Sequence, residues 1–373
     1  MHALGPLATL RVIEFAGLGP APLAGQLLAD LGADVIVVDR SNRPADPLDV
    51  NRRGKRSVVL DLKTDQGRKA VLRLIETSDI LIEGYRPGVM ERLGLGPDDC
   101  PKSLIYGRMT GWGQSGPLAQ RAGHDITYLA MTGVLNMLGP KDGPPVPPMN
   151  LAADYGGGTM FLLFGLLSAV IERATSGRGQ VVDAAMIEGV PAMMGLLNTF
   201  MGQGQWSSQR ASNLLDGGAP FYRCYTCADR LFVAVGALEP QFYAKLIDGL
   251  GLDPSLSLSQ MDQSTWPDLH AQFEAIFARQ PRDHWVKVFE DTDACVAPVL
   301  NHQEAAVHPH NVERQVFLDG APHQASPAPR FSRTSPAQPH APRPHGADTF
   351  DILTEIGLSD ADVQDVLQKG AMS

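Results

Sequence analysis

The sequence predicts an α/β fold: a large domain built on a Rossmann-like parallel sheet, joined to a smaller α+β domain. Two observations predict it. Over the first hundred residues, short apolar runs alternate with segments of helical spacing, the pattern of a parallel sheet covered on both faces. From Gly217 the order changes, with two strand-like runs close together and helices after them, which marks a second unit. A chain of 373 residues has room for such a division, since domains run to roughly 150 residues each.

The elements follow in order. Leu10–Phe15 reads as a buried strand ending at the turn Ala16-Gly17-Leu18-Gly19-Pro20. Leu23, Leu27, Leu28 and Leu31 then recur at helical spacing over Pro22–Leu31, with Gly32 as the stop. Asp34–Val38 is a second strand, closed by Asp39-Arg40. Ser57–Leu62 is a third, after which Thr64 caps a helix reaching Ile75. Asp79–Ile82 and Leu104–Gly107 are the fourth and fifth strands. The proline-dense stretch 140–149 predicts a rigid extended connector. Asp154, followed by Gly156, Gly157 and Gly158, opens an apolar stretch that predicts a long helix ending near Ser176-Gly177, and Val181–Ala184 predicts another strand. Phe221–Cys224, Leu231–Val235 and Val296–Leu300 are strands of the smaller unit, with helices at 239–250 and 267–278. Residues 320–345 are rich in proline and aperiodic, an extended arm before a helix at 350–368. The expected division is a large domain over 1–200, a small domain over 215–320, and a return arm and terminal helix over 321–373 that pack on the large domain.

Composition excludes several classes. Lys and Arg number 31 against 41 Asp and Glu, a net charge of −10, so no global attraction to nucleic acid or an anionic membrane is expected. Four cysteines are too few for a disulfide framework and suit a reducing cytoplasm. Cys224 and Cys227 have CxxC spacing, but no second pair stands near them, so they read as ordinary thiols and no metal site is expected. Neither a signal peptide nor a peroxisomal address is read at the ends, and no uninterrupted apolar run reaches membrane-spanning length.

Three constellations could carry chemistry. Gly17-x-Gly19 lies between a strand and a helix, with Asp39 further on, as in a dinucleotide fingerprint. Pro22 occupies the third glycine position, so the sheet is expected without a nicotinamide cofactor. Arg40, Arg52, Arg53, Lys55, Arg56, Lys63, Arg86 and Arg92 gather near strand ends. Any one of them reads most simply as a solvated basic residue; as a group they lean towards a nucleotide-like ligand. The third constellation is His124, Asp154 and Glu239. Each has an ordinary reading as well: a core or capping histidine, a helix cap, and a first-turn glutamate.

Longer strings decide more. Val38-Asp39-Arg40, Arg53-Gly54-Lys55-Arg56-Ser57, Leu60-Asp61-Leu62-Lys63, Gly84-Tyr85-Arg86-Pro87-Gly88-Val89-Met90-Glu91-Arg92-Leu93, Thr110-Gly111-Trp112-Gly113-Gln114-Ser115-Gly116, Gly123-His124-Asp125, Asn150-Leu151-Ala152-Ala153-Asp154, Leu215-Asp216-Gly217-Gly218-Ala219-Pro220, Gly236-Ala237-Leu238-Glu239-Pro240-Gln241-Phe242-Tyr243 and Thr292-Asp293-Ala294-Cys295 stand in one order along nearly the whole chain. With these strings the sequence resembles the α-methylacyl-CoA racemases of the family III CoA-transferase superfamily. The resemblance implies that His124 and Asp154 are the acid/base pair, with Glu239 hydrogen-bonded to His124. It implies coenzyme A contacts at Arg40, Leu60, Asp61, Leu62, Lys63, Arg86 and Arg92, and at Gly123, Asp125, Ile126, Thr127 and Tyr128. It further implies an interlocked homodimer, whose active site forms between the large domain of one chain and the small domain of its partner. Neither a metal nor a cofactor beyond the coenzyme A of the substrate is implied.

These residue types suit the chemistry. Inverting the carbon beside a thioester needs a base on one face of a planar enolate and an acid on the other. An imidazole can fill either role near neutral pH. Asp154 must hold a proton, which burial or a neighbouring negative charge favours. Backbone N–H groups at the start of the Asp154 helix are the expected donors to the enolate oxygen, with Gly156–Gly158 admitting the thioester. Met186, Met193, Met194 and Met201 could wall an acyl chain, though core packing is the commoner use of such a stripe. The competing readings are a CoA-transferase with Asp154 as nucleophile and a catalytically silent coenzyme A-binding protein. The full set of His124, Asp154 and Glu239 favours the racemase.

Overall fold

The computed structural model describes residues 5–319 and 324–370. The targeting signals sought in the first four and last three residues, and positions 320–323 of the expected arm, lie outside the described residues.

Strands β1 (Arg11–Phe15), β2 (Asp34–Asp39), β3 (Arg56–Val59), β4 (Ile80–Glu83), β5 (Ile105–Thr110) and β6 (Val181–Ala185) form one parallel sheet in the order β3-β2-β1-β4-β5-β6. The strand order reverses between β1 and β4, the topological switch point where open α/β sheets place their ligands. The inner strands are buried on both faces, which is why their sequences run apolar without alternation. Helix α1 (Pro20–Asp30) starts on a proline and buries Ala24 and Leu28 against the sheet. Helix α2 (Asp65–Glu76) is capped as expected: the Thr64 hydroxyl accepts the Gly67 N–H at 3.0 Å. Its Val71, Leu74 and Ile75 are fully buried in a cluster with Ile13, Ile36 and Leu81.

The chain divides into two compact units, one comprising Met1–Thr132, Met149–Met193 and Gln315–Ser373, the other Gly133–Pro148 and Met194–Arg314. The first unit is therefore discontinuous in sequence. Most of the proline-rich connector belongs to the second unit, where Arg210 holds it by donating to the carbonyls of Pro140, Asn136 and Gly143. The second unit carries an antiparallel sheet of β7 (Tyr222–Thr226), β8 (Phe232–Gly236) and β9 (Val296–Pro298). Helices Pro240–Gly249, Trp266–Phe277 and Arg282–Phe289 give it a core of Phe221, Tyr225, Tyr243, Phe273, Phe277 and Trp285. The CxxC thiols are free, Cys227 buried and Cys224 exposed.

The C-terminal segment belongs to the first unit. Asp348 and Thr349 accept the backbone N–H groups of Ser57 and Val59, and Ile352, Leu353 and Val363 join the core beside α2. The single helix expected at 350–368 is two, Thr349–Glu355 and Asp360–Gly370. Gly357, at φ +81°, turns the chain between them.

Two further expectations are corrected. Four of the eight basic side chains offered to a nucleotide-like ligand are spent inside the fold. Lys55 sits on Glu14 at 2.6 Å, Arg53 on Asp30 at 2.6 Å, Arg52 on Asp39 at 2.6 Å, and Arg56 on Glu355 at 2.7 Å. Glu14, Asp30 and Asp39 are buried and require such partners, because an unpaired buried charge is far costlier than a paired one, while Arg56 and Glu355 pair nearer the surface. Second, a π-helical stretch (Leu151–Met160) runs directly into helix α5 (Phe161–Ser176). The continuous helix of 26 residues is long and apolar enough to cross a membrane by length and composition. The sequence reading opened this helix at Asp154, inside the stretch that begins at Leu151. Those glycines instead allow close packing: helix α6 (Met186–Ala192) crosses the π-helical stretch so tightly that a Cβ on Gly189 would lie 1.9 Å from the Gly157 carbonyl oxygen.

Candidate active site

A cleft of about 1000 Å³ opens in the first unit at the carboxyl ends of β1, β2, β4 and β5. The turn after β1 forms one wall. Gly19 takes φ +72°, and a Cβ there would lie 3.6 Å from Asp154 Oδ2. The glycine turn that resembles a dinucleotide fingerprint thus packs against a carboxylate. Asp39, the acid of that fingerprint, is buried and bound to Arg52 and to the Ser57 hydroxyl.

His124 is the N-cap of helix α4 (Asp125–Met131). Its backbone is fixed by Thr127, whose hydroxyl accepts from the His124 N–H at 2.9 Å and donates to the His124 carbonyl at 2.8 Å. Its ring lines the cleft and makes no hydrogen bond among the described residues. Gly123 precedes it because the Tyr128 ring lies there: a Cβ on Gly123 would fall 2.4 Å from that ring, and one on Gly111 only 2.0 Å from it. Trp112 meets Tyr128 edge-on with centroids 4.8 Å apart. The Trp112 indole N–H, also at the cleft, is buried without a partner among the described residues.

Asp154 faces the same cleft from the π-helical stretch. Burial pushes its carboxyl above the usual carboxylate range, and the negative charge of Asp125 adds to this. A hydrogen bond with Asn150 and the nearness of His124 oppose the rise. Asp154 is not the cap its sequence context suggested, because the helix begins earlier, at Leu151. The expected donors to an enolate oxygen are also corrected. The N–H groups of Ala153 and Asp154 both donate to Asp125 Oδ2 at 2.8 Å. A carboxylate arriving from α4 satisfies two of the free donors of this helix start.

Arg40 and Arg86 reach the cleft, Arg40 stacking over the Tyr85 ring at 5.8 Å. Arg43 and Arg121 join them and were missed in the sequence. Arg43 carried the same signal that singled out Arg40, a basic residue just beyond the end of β2. None of these four arginines forms an ion pair among the described residues. Leu60, Asp61, Leu62 and Lys63 follow β3, and Arg92 ends helix α3 (Val89–Arg92); none of them stands in the cleft wall. The Leu60 side chain is buried in the core, and Asp61 Oδ1 accepts the Lys63 N–H at 2.9 Å. Ile126 is exposed on α4, outside the wall. Glu239 lies in the second unit as the N-cap of Pro240–Gly249, and within that unit its carboxylate makes no hydrogen bond among the described residues. Of the four methionines in the stripe, Met186 alone lines the cleft. Among the described residues no cluster of His, Cys, Asp and Glu could hold a metal ion.

Comparison with known proteins gives this geometry a context. The sequence profile of CoA-transferase family III matches residues 7–349. The α-methylacyl-CoA racemase of Mus musculus is 46% identical over 365 residues, covering 96% of this chain and 95% of that protein. The α-methylacyl-CoA racemase of Homo sapiens is 43% identical over 361 residues, covering 95% of this chain and 94% of that protein. Among solved structures, Rv3272 from M. tuberculosis superposes with a TM-score of 0.76 at 27% identity, covering 93% of this chain and 98% of that chain.

Proposed function

The chain belongs to CoA-transferase family III, and from that premise we propose that it is a 2-methylacyl-CoA racemase, an isomerase interconverting the (R) and (S) thioesters by 1,1-proton transfer. One observation carries the reading: the His124 ring, without a hydrogen-bonding partner among the described residues, and the Asp154 carboxyl, held above its ordinary pKa, border one cleft. In one direction neutral His124 removes the α-proton and protonated Asp154 delivers one to the opposite face of the enolate. In the other the roles exchange. A transferase needs Asp154 ionised as a nucleophile. Burial and the Asp125 charge work against that state and favour a proton carrier.

The free arginines at the cleft suit the phosphates of coenzyme A. No cofactor beyond that coenzyme A is required. Glu239, contributed by a second copy of the chain, is the residue we assign to orient the His124 ring. We further propose that the enzyme works as a homodimer. Phe164 and Ile171 on α5 are 72% and 73% exposed, a costly apolar face that a second copy would cover. A monomer's mass in light scattering at assay concentration overturns this. Free thiols suit a reducing compartment, and we propose the cytoplasm.

The test uses one enantiomer of a 2-methylacyl-CoA in heavy water, with no acceptor acid present. Racemase activity gives deuterium at the α-carbon together with loss of optical purity. Exchange of coenzyme A with an added carboxylic acid, without change at the α-carbon, overturns the reading in favour of a transferase.

A further inference from the structure

His345 comes from the C-terminal segment, far in sequence from every motif discussed above, yet it lines the same cleft. Three contacts place it. Its N–H donates to the Arg43 carbonyl at 2.9 Å. Its Nδ1 lies 3.3 Å from Asp39 Oδ1. The next residue, Gly346, donates its N–H to the Ser57 hydroxyl at 2.7 Å. Gly346 takes φ +79°, and a Cβ there would strike Asn42 Oδ1 at 2.4 Å, so the backbone fits closely at this point.

We propose that His345 binds substrate, with Nε2 accepting a hydrogen bond from the nucleoside part of coenzyme A, from either a ribose hydroxyl or the adenine amino group. This rests on the acyl-CoA reading and adds a residue to it. The argument is one of donor and acceptor supply. Arg40, Arg43, Arg86 and Arg121 bring only donors to the cleft. They match phosphate oxygens and cannot read a hydroxyl or an amine by accepting from it. Asp39 lies against Nδ1, which puts the ring proton there and leaves the Nε2 lone pair free; no hydrogen bond among the described residues takes up Nε2. The charged groups facing the ring are Asp39, Arg52, Arg43 and Asp49. Burial is the largest influence and favours the neutral ring, with Arg52 and Arg43 adding to it and Asp39 opposing. The neutral tautomer is the one that accepts.

Position supports the same end of the ligand. His345 sits beside β2, while His124 follows β5. Three strand spacings separate β2 from β5 in the sheet order, about 14 Å at the usual spacing. A pantetheine arm spans such a distance, so a thioester at His124 leaves the nucleoside near His345.

Two variants and two substrates test this. His345→Asn keeps an amide where Nδ1 meets Asp39 and removes Nε2. His345→Gln carries an oxygen out to where Nε2 lies. With 2-methylacyl-CoA, His345→Asn raises KM about tenfold at unchanged kcat, the loss of one well-placed hydrogen bond. His345→Gln stays within about threefold of wild type, since an acceptor is restored. With the matching acyl-pantetheine thioester, which lacks the nucleotide, all three proteins share one KM. An unchanged KM for the coenzyme A thioester in His345→Asn overturns the proposal, as does an equal rise on both thioesters. Wild type that turns over neither thioester defeats the acyl-CoA reading and this proposal together; wild-type turnover with an indifferent variant defeats this proposal alone.

Discussion

Asp154→Asn lowers racemisation by about three orders of magnitude, and His124→Ala by a similar factor, because each removes one of two proton carriers. The two losses are not silent in the same way. Each variant keeps a base on one face of the α-carbon. The enantiomer whose hydrogen faces that base still exchanges it for deuterium, slowly and with retention, while inversion is lost. Asp154→Asn therefore washes label into one enantiomer and His124→Ala into the other. Chiral separation with mass spectrometry reads both quantities from one sample. Racemisation within tenfold of wild type in either variant removes that residue from the mechanism. Exchange of the same enantiomer by both variants places the two groups on one face, and the two-sided mechanism fails. Neither substitution threatens the fold, since the His124 ring is held by no hydrogen bond among the described residues and Asp154 is only half-buried.

Much of this was legible in the chain. Strands such as Asp34–Asp39 are continuous apolar runs because both faces of the sheet are covered, and such runs declare themselves. Thr64 announced its helix because an N-cap is a local event between residues three apart. His124 and Asp154 were found by the strings around them. What stayed hidden depends on distant partners. Lys55 and Arg53 look like ligand-binding residues in sequence, and only the fold shows Glu14 and Asp30 beneath them. The discontinuous first unit hid for the same reason: the contacts that assign residues 133–148 run to Arg210, 67 and 70 positions further along the chain. The start of the helix carrying Asp154 was misplaced because the signal read as its cap, an aspartate before glycines, belongs to the helix interior. His345 was invisible in a proline-rich arm with no periodicity, and only its placement on Asp39 brings it to the cleft.

The second large effect concerns Asp125, the residue next to His124. It is 6% exposed, its Oδ2 holds the N–H groups of Ala153 and Asp154, and its Oδ1 is buried without a hydrogen-bonding partner among the described residues. One carboxylate thus fixes the backbone of Asp154 from beside His124 and raises the Asp154 pKa through its charge. The two roles separate by substitution. Asp125→Ala strands both N–H groups and costs about 2 kcal/mol or more in stability, with kcat falling roughly tenfold to a hundredfold as Asp154 loses its placement. Asp125→Asn keeps an oxygen for both N–H groups, so stability and KM hold near wild type while the charge disappears. Since the Asp125 charge raises the pKa of Asp154, removing it lowers that pKa. Whether Asp154 acts as acid or as base, the limb of the pH–rate profile that belongs to it moves to lower pH in Asp125→Asn, and the limb belonging to His124 does not follow it by the same amount. Profiles of kcat in both reaction directions measure this directly. If the Asp154 limb stays in place or rises while the protein remains folded, Asp125 is only a clamp and the elevated carboxyl of Asp154 owes nothing to its neighbour's charge. If the limb falls, a single buried carboxylate both positions the proton carrier and sets the pH at which it works.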